Sequence, residues 1–250
     1  MTRKPILEAR NIVKELGQGA AKVRALKGVS LTLYPGELTL MMGPSGSGKT
    51  TLLSILGCIL APTTGAVTVG GETTEGLDPE GLAALRRRHI GFVFQSYNLF
   101  PTLNAVENVR LALDVRGVKK ADTIARAEAA LREVGLGHRL KNYPRNLSGG
   151  EQQRVAVARA LASSPSVILA DEPTAALDSE NGHAVMKLLA ELAKDKQRAV
   201  LAVTHDPRTH PYADRIVRIE DGLITGDERQ SSTGENVTKI DVIKKRKANA

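Results

Sequence analysis

Residues 38–60 read LTLMMGPSGSGKTTLLSILGCIL, and the fold turns on them. Leu38 to Met42 is a continuous apolar run of strand length, which reads as a buried strand. Gly43-Pro44-Ser45-Gly46-Ser47-Gly48-Lys49-Thr50 follows and matches the phosphate-binding loop pattern. Its glycines let successive backbone N–H groups turn inward around a triphosphate. Thr50 to Leu60 then has helical character, and a helix N-terminus favours an anion through unpaired N–H groups and the helix dipole. Lys49 can reach the outer phosphates, and the Thr50 hydroxyl can ligate Mg²⁺.

Working outward, Val167-Ile168-Leu169-Ala170-Asp171-Glu172 is a second short apolar run with an acidic exit. Carboxylates at the C-terminal end of a parallel strand lie where open α/β sheets bind ligands. Helix capping explains many such pairs, but here the phosphate loop already calls for a metal-binding acid. Asp171 is placed to hold the metal through its water shell and Glu172 to polarise an attacking water.

Between these lies Leu147-Ser148-Gly149-Gly150-Glu151-Gln152-Gln153-Arg154. Ser148 and Glu151 have capping-box spacing, so a helix starts here. Val155, Ala158, Leu161 and Ala162 give it an apolar face. Two glycines in a first turn are costly for a helix that merely packs. They make sense where something must approach the backbone closely, and a bare helix N-terminus suits a phosphate.

The chain has 250 residues, 42% hydrophobic and 25% charged, an ordinary balance for a globular protein with a sizeable core. Its one cysteine, Cys58, excludes an internal disulfide and sits in an apolar run as a buried hydrophobe; this fits a reducing compartment. Met1 to Arg10 lacks the apolar core and cleavage site of a signal peptide. The longest apolar stretches fall well short of a bilayer span. The net charge of +8 is compatible with nucleic acid, anionic lipid or plain solvation.

Further strands are expected at Ile6 to Val13, Val29 to Leu33, around Ala66 to Glu72, at Ile90 to Phe94 and at Ala199 to Thr204. Further helices are expected at Ala121 to Val134 and Ala184 to Ala193. The alternation argues an α/β fold with a mainly parallel core sheet covered by helices. A helical subdomain is expected at about 96–160. After Gly226 the chain turns polar and ends in a basic cluster, Lys244, Lys245, Arg246 and Lys247, so 227–250 reads as a disordered basic tail.

These motifs together resemble the ATP-binding cassette (ABC) family across roughly residues 4 to 225. Gly43 to Thr50 is similar to its Walker A loop, Val167 to Glu172 to its Walker B strand and Leu147 to Glu151 to its signature. The resemblance implies a P-loop NTPase cassette with an N-terminal antiparallel β subdomain and a helical insertion, binding ATP and Mg²⁺. ATP contacts are then expected from Gly43, Pro44, Ser45, Gly46, Ser47, Gly48, Lys49, Thr50 and Thr51. Thr50, Asp171 and Gln95 are implied as metal contacts. Gln95 resembles the Q-loop glutamine, Asp178 in Ala176-Leu177-Asp178 the D-loop aspartate, and His205 the switch histidine. Glu172, His205, Gln95 and Lys49 carry the catalytic roles. In that family two copies meet head to tail, so Ser148, Gly149, Gly150 and Glu151 act on the partner's nucleotide. At Leu16 related cassettes often carry an aromatic that stacks on adenine; an aliphatic packs there without the ring-on-ring contribution.

Ile55-Leu56-Gly57, Phe92 to Ser96, Ala170 to Thr174 and Val203 to Asp206 are similar to the macrolide-export and lipoprotein-release (MacB/LolD-like) branch. Ala175-Ala176 stands where that branch often has Gly-Asn. The branch implies an ATPase that powers export or envelope extraction through a separately encoded membrane permease, at the cytoplasmic face of the inner membrane. The surface near Gln95 and the helical insertion is the expected permease contact. The alternatives are an importer ATPase, or a soluble ABC ATPase acting on nucleic acid or ribosomes. The latter usually carries two cassettes or a long coiled-coil insertion, so no nucleic-acid partner is expected.

Overall fold

The computed structural model describes residues 4–230 and 236–239. In chain order the elements are β1 (Leu7–Leu16), β2 (Val23–Leu33), β3 (Glu37–Met42), α1 (Lys49–Leu56), β4 (Thr64–Val69), β5 (Glu72–Thr73), α2 (Pro79–His89), β6 (Ile90–Val93), α3 (Ala105–Val115), α4 (Lys120–Glu133), α5 (Gly149–Leu161), β7 (Val167–Asp171), α6 (Ser179–Ala193), β8 (Ala199–Thr204), β9 (Arg215–Glu220), β10 (Leu223–Gln230) and β11 (Asn236–Lys239).

Two sheets form. β2-β1-β4-β5 is antiparallel, and β11-β10-β9-β3-β8-β7-β6 is mixed, with β9, β3, β8, β7 and β6 parallel. β7 and β8 are buried on both faces, which is why they read as nearly unbroken apolar runs. Side chains of β3, β7 and β8 alternate between two cores. Leu38, Leu40, Ile168, Ala170, Val200 and Ala202 pack with α3 to α6. Met41, Leu169, Leu201 and Val203 pack with α1 and the antiparallel sheet. Truncating one of these fully buried leucines to alanine costs about 2–5 kcal/mol.

Between β6 and β7 lie three α-helices, a short 3-10 turn at Pro144–Asn146 and no strand. α3 starts at a capping box in which Asn104 and Glu107 each accept the other's backbone N–H. The fully buried Asn108 ties this helix to the preceding loop through Phe100, Leu103 and Asn104.

The structure departs from the sequence expectations at several places. α1 ends at Leu56 rather than Leu60, because Gly57 follows and Cys58 takes a left-handed φ of 54°. The Cys58 thiol is buried, and burial pushes its pKa up to about 11, so it is an inert core residue. Helices α2 and α3 and strands β9, β10 and β11 add to the expected set, and β11 lies within the 227–250 stretch read as a disordered tail. The boundary at Gly226 falls inside β10, which runs to Gln230. Asp227 there takes two hydrogen bonds from the buried Arg215, at 2.6 and 2.5 Å, so it is anchored to β9. The basic cluster from Lys244 lies outside the described residues.

The Asp221-Gly222 turn between β9 and β10 reaches back to the phosphate loop. Gly222 donates its N–H to Ser47 O at 3.0 Å and accepts from the Lys27 N–H at 2.9 Å. A Cβ at Gly222 would lie 2.4 Å from Ala25 O, so no larger residue fits against β2.

Candidate active site

β3, β7 and β8 run parallel and end at one sheet edge. The chain leaves β3 at Gly43, where an added Cβ would lie 2.0 Å from Ile219 O on neighbouring β9. Only glycine lets the loop start there. The loop then wraps to Gly48, which caps α1 in a left-handed conformation with φ of 100°. Lys49 is buried, and its ammonium donates to Gly43 O and Pro44 O, each at 2.7 Å. An ammonium has three donors, so one remains for a phosphate oxygen. The Ser47 hydroxyl is buried without a hydrogen-bond partner among the described residues.

At the exit of β7, the Thr50 hydroxyl donates to Asp171 Oδ1 at 3.3 Å. Burial pushes the Asp171 carboxyl above its ordinary value, helped by the charge of Glu172 and opposed by the Thr50 hydrogen bond and Lys49. Glu172 follows with φ of 45°, a left-handed conformation unusual for glutamate. Its N–H continues the ladder to Val203 O at 2.9 Å. Its carboxylate accepts from His205 Nδ1 at 2.8 Å. The strained backbone turns the carboxylate out of the sheet and toward the loop, the kind of strain that collects at reactive centres.

One cleft of about 700 Å³ gathers Leu16, Pro44, Ser45, Gly46, Gly48, Lys49, Thr50, Thr51, Gln95, Glu172 and His205. Of the loop residues, Gly43 and Ser47 do not line it. Oxygen donors from Thr50, Asp171 and Gln95 suit a hard cation. Among the described residues no group of three or more His, Cys, Asp or Glu could hold a metal alone. The donor set therefore fits Mg²⁺ completed by phosphate oxygens and water, which is how that ion usually binds.

Ser148, Gly149, Gly150, Glu151 and Asp178 do not line this cleft. Ser148 caps α5 through the predicted box: Glu151 N–H to Ser148 Oγ is 3.2 Å, and Ser148 N–H to Glu151 Oε2 is 2.8 Å. The Ser148 N–H, with Arg139 at 2.9 Å, holds the Glu151 carboxyl below its ordinary value. Asp178 caps α6 by accepting the Asn181 N–H at 2.9 Å, which lowers its carboxyl as well.

Asn181 also explains Gly150. A Cβ there would lie 2.1 Å from Asn181 Oδ1 and 2.8 Å from its Cβ. The close approach inferred for Gly150 thus comes from α6 of the same chain. Gly149 is less confined, 3.1 Å from the Tyr97 hydroxyl by the same measure, and Ser148 is exposed.

Sequence reasoning missed three side chains that tie these parts together. Arg159 on α5 donates to the carbonyls of Tyr97, at 2.7 Å, and Asn98. Both residues have positive φ, 58° and 50°, just after Gln95. The fully buried Gln153 donates to Pro173 O at 2.9 Å, next to Glu172. Asn181 Nδ2 donates to Asp178 Oδ2 at 2.8 Å. Only the last pair is local enough for sequence to hint at it.

A cradle of backbone N–H groups, a buried lysine and a water-facing carboxylate all address one kind of ligand, a nucleoside triphosphate. The class that fold and site define is the P-loop nucleoside triphosphatase. Residues 26–175 match the family described as ABC transporter, and the chain belongs to that family as its ATP-hydrolysing cassette. It is 48% identical over 227 residues to the macrolide export ATP-binding/permease protein MacB of Acinetobacter baylyi, covering 91% of this chain and 34% of that protein. The MacB of Marinobacter nauticus is 45% identical over 227 residues, 91% and 35% of the two chains. The chain thus spans about a third of the length of these relatives. Among solved structures, the dimeric ATP-binding cassette MJ0796 in a post-hydrolysis state with ADP and Pi superposes with a TM-score of 0.81 at 41% identity, over 89% of this chain and 98% of that one. CbiO1 from Clostridium perfringens, part of the ABC transporter complex cbiONQ, gives 0.79 at 29% identity, over 89% and 88%.

Proposed function

We propose that this cassette works as one half of an ATP-sandwich dimer that drives export through a membrane permease, from the cytoplasmic face of the membrane. One observation carries the reading: the nucleotide cleft and the exposed N-terminus of α5 are separate sites on one chain. A second copy, turned head to tail, brings its Ser148, Gly149 and Gly150 over this chain's phosphates. ATP binds the closed pair better than the open pair and so drives closure.

In the closed site Lys49 and the loop N–H groups hold the outer phosphates. Glu172 orients a water and takes its proton as the water oxygen attacks the γ-phosphorus and ADP departs. His205 holds that carboxylate in place. Thr50 and Asp171, with Gln95, would hold Mg²⁺, which would supply positive charge to the phosphate oxygens. Loss of the γ-phosphate removes what joined the two copies, and the pair reopens.

The output surface is a groove of about 380 Å³ that includes Phe94, the residue before Gln95, and is lined by Ile59, Phe92, Leu111 and Val115 with Arg86 and Arg116. No helix among the described residues is long and apolar enough to cross a membrane, so the membrane-embedded element is outside them. The groove's apolar lining and arginines suit a short amphipathic permease segment. Export is favoured over import by the relatives named for macrolide export.

The test is capture of the tagged chain from detergent-solubilised membranes. Recovery of a multi-span membrane protein with the cassette, and ATP turnover that rises in its presence, is expected. Recovery of ribosomes or DNA without any membrane protein overturns the transport reading.

A further inference from the structure

We propose that Gln153 is a positioning residue for hydrolysis: from within α5 it holds the peptide after Glu172 and so aims the Glu172 carboxylate at the attacking water. The inference rests on Glu172 as the group that orients that water.

Glu172 sits in a conformation that its own sequence resists. Its φ of 45° is left-handed, and a residue before proline favours extended backbone. Such a conformation persists only where the surroundings over-determine it. On its N-terminal side the Glu172 N–H is held by Val203 O at 2.9 Å. On its C-terminal side the restraint passes through Pro173, which is buried. The proline ring fixes its own φ, so the Pro173 carbonyl and the peptide that joins it to Glu172 turn together. Gln153 Nε2 donates to that carbonyl at 2.9 Å. Glu172 is thus gripped by β8 on one side and by α5 on the other.

An amide is costly where Gln153 stands. The residue is fully buried, and Val155, Ala156 and Val157 beside it on α5 are fully buried apolar residues. Its Oε1 is buried without a hydrogen-bond partner among the described residues, which leaves a desolvated acceptor unmet. Exchanging the two amide atoms would set Oε1 against the Pro173 oxygen, so the orientation is fixed. Methionine would fill the same space with no unmet acceptor. What glutamine adds is a donor, and that donor goes to the residue next to the reacting carboxylate.

The bond lies within one chain. Gln153 and Glu172 serve the same cleft, whereas the start of α5, one turn before Gln153, serves the opposite pocket of the dimer. Losing the bond should slow the cleft of the chain that carries the change. Damage to α5 itself should slow the other pocket.

The experiment is steady-state ATP hydrolysis by the full chain with Mg²⁺. Gln153→Met keeps the volume and loses the donor; Gln153→Asn keeps the amide but is one methylene short. Thermal melts identify which variants fold. Each folded variant is expected to lower kcat about ten- to a hundredfold with KM for ATP within about twofold of wild type. A wild-type kcat in either overturns the proposal. A hybrid of Ser148→Arg and Lys49→Ala chains has one working pocket, built on the cleft of the Ser148→Arg chain. Gln153→Met on that chain should lower hybrid turnover by the same factor as in the homodimer. On the Lys49→Ala chain it should leave turnover within about twofold. Equal losses from the two placements overturn the positioning role. A wild-type rate in Glu172→Gln, by contrast, overturns the role of Glu172 and this inference with it.

Discussion

The imidazole of His205 donates from Nδ1 to Oε1 of Glu172 across 2.8 Å, joining the exit of β8 to the exit of β7. Glu172 holds a left-handed backbone and accepts this bond on one carboxylate oxygen, leaving the other for water. Two residues that act through one proton transfer should not contribute independently. Glu172→Gln is expected to lower kcat at least about a hundredfold with little change in KM, and to accumulate an ATP-bound dimer on size-exclusion chromatography. His205→Ala should also lower kcat, and adding it to Glu172→Gln should cost little more. Fully additive losses would show that the two act separately.

The division of the site between two copies predicts complementation. Lys49→Ala disables the cleft and Ser148→Arg disables the opposing helix end. Neither protein alone should hydrolyse ATP. Mixed in equal amounts they should recover roughly a quarter of wild-type turnover, because half of randomly exchanged dimers are hybrids with one intact pocket. An inactive mixture of subunits shown to exchange would count against a shared pocket.

Gly150 against Asn181 gives a stability prediction free of catalysis. Rotating the asparagine cannot relieve the clash, since its own Cβ would lie 2.8 Å away and its amide is tied to Asp178. Gly150→Ala should lower Tm by about 3–6 °C, the effect of an overpacked contact of about 1–2 kcal/mol in a domain this size. Asn181→Ala in the same chain should restore part of it. A neutral Gly150→Ala would mean that α5 and α6 separate easily at this point.

Asp171 gives a prediction with a definite sign. Burial raises its carboxyl, so the charged form opposes folding of the nucleotide-free protein. That penalty is complete above the folded-state pKa and vanishes as pH falls to the ordinary carboxylate value. Asp171→Asn should therefore raise Tm in EDTA at neutral pH by about 1–2 °C and lose that gain on acidification. The same variant should hydrolyse ATP poorly. A lower Tm at neutral pH would show that Lys49 and Thr50 outweigh burial.

The strand–loop–helix at 38–56 was legible because its parts are contiguous and each obeys a local rule. The apolar run is buried on both faces, and the glycines are forced by the loop. β9 was not legible, although it pairs with β3 in the centre of the sheet. Arg215, Arg218 and Glu220 break its apolar run, and the buried Arg215 is explained only by partners remote in sequence: Asp227, Glu37 and the Thr32 carbonyl. The turn signal at Asp221-Gly222 was available. So was the capping box at Asn104 and Glu107, which marks α3. The contact of Gly150 with Asn181 has no local signature; it exists only once α5 and α6 have packed.

The Asp221-Gly222 turn has a consequence for how the protein is born. It braces Ser47 in the phosphate loop on one side and Ala25 and Lys27 on β2 on the other. Those contacts join segments from opposite ends of the chain. A ribosome must therefore extrude almost the whole cassette before the loop at Gly43 has its back wall. Nascent chains ending before Arg215 should fail to retain nucleotide, and the pocket closes only when synthesis has passed Gly222. Nucleotide binding is then expected only after the signature and switch segments have been made.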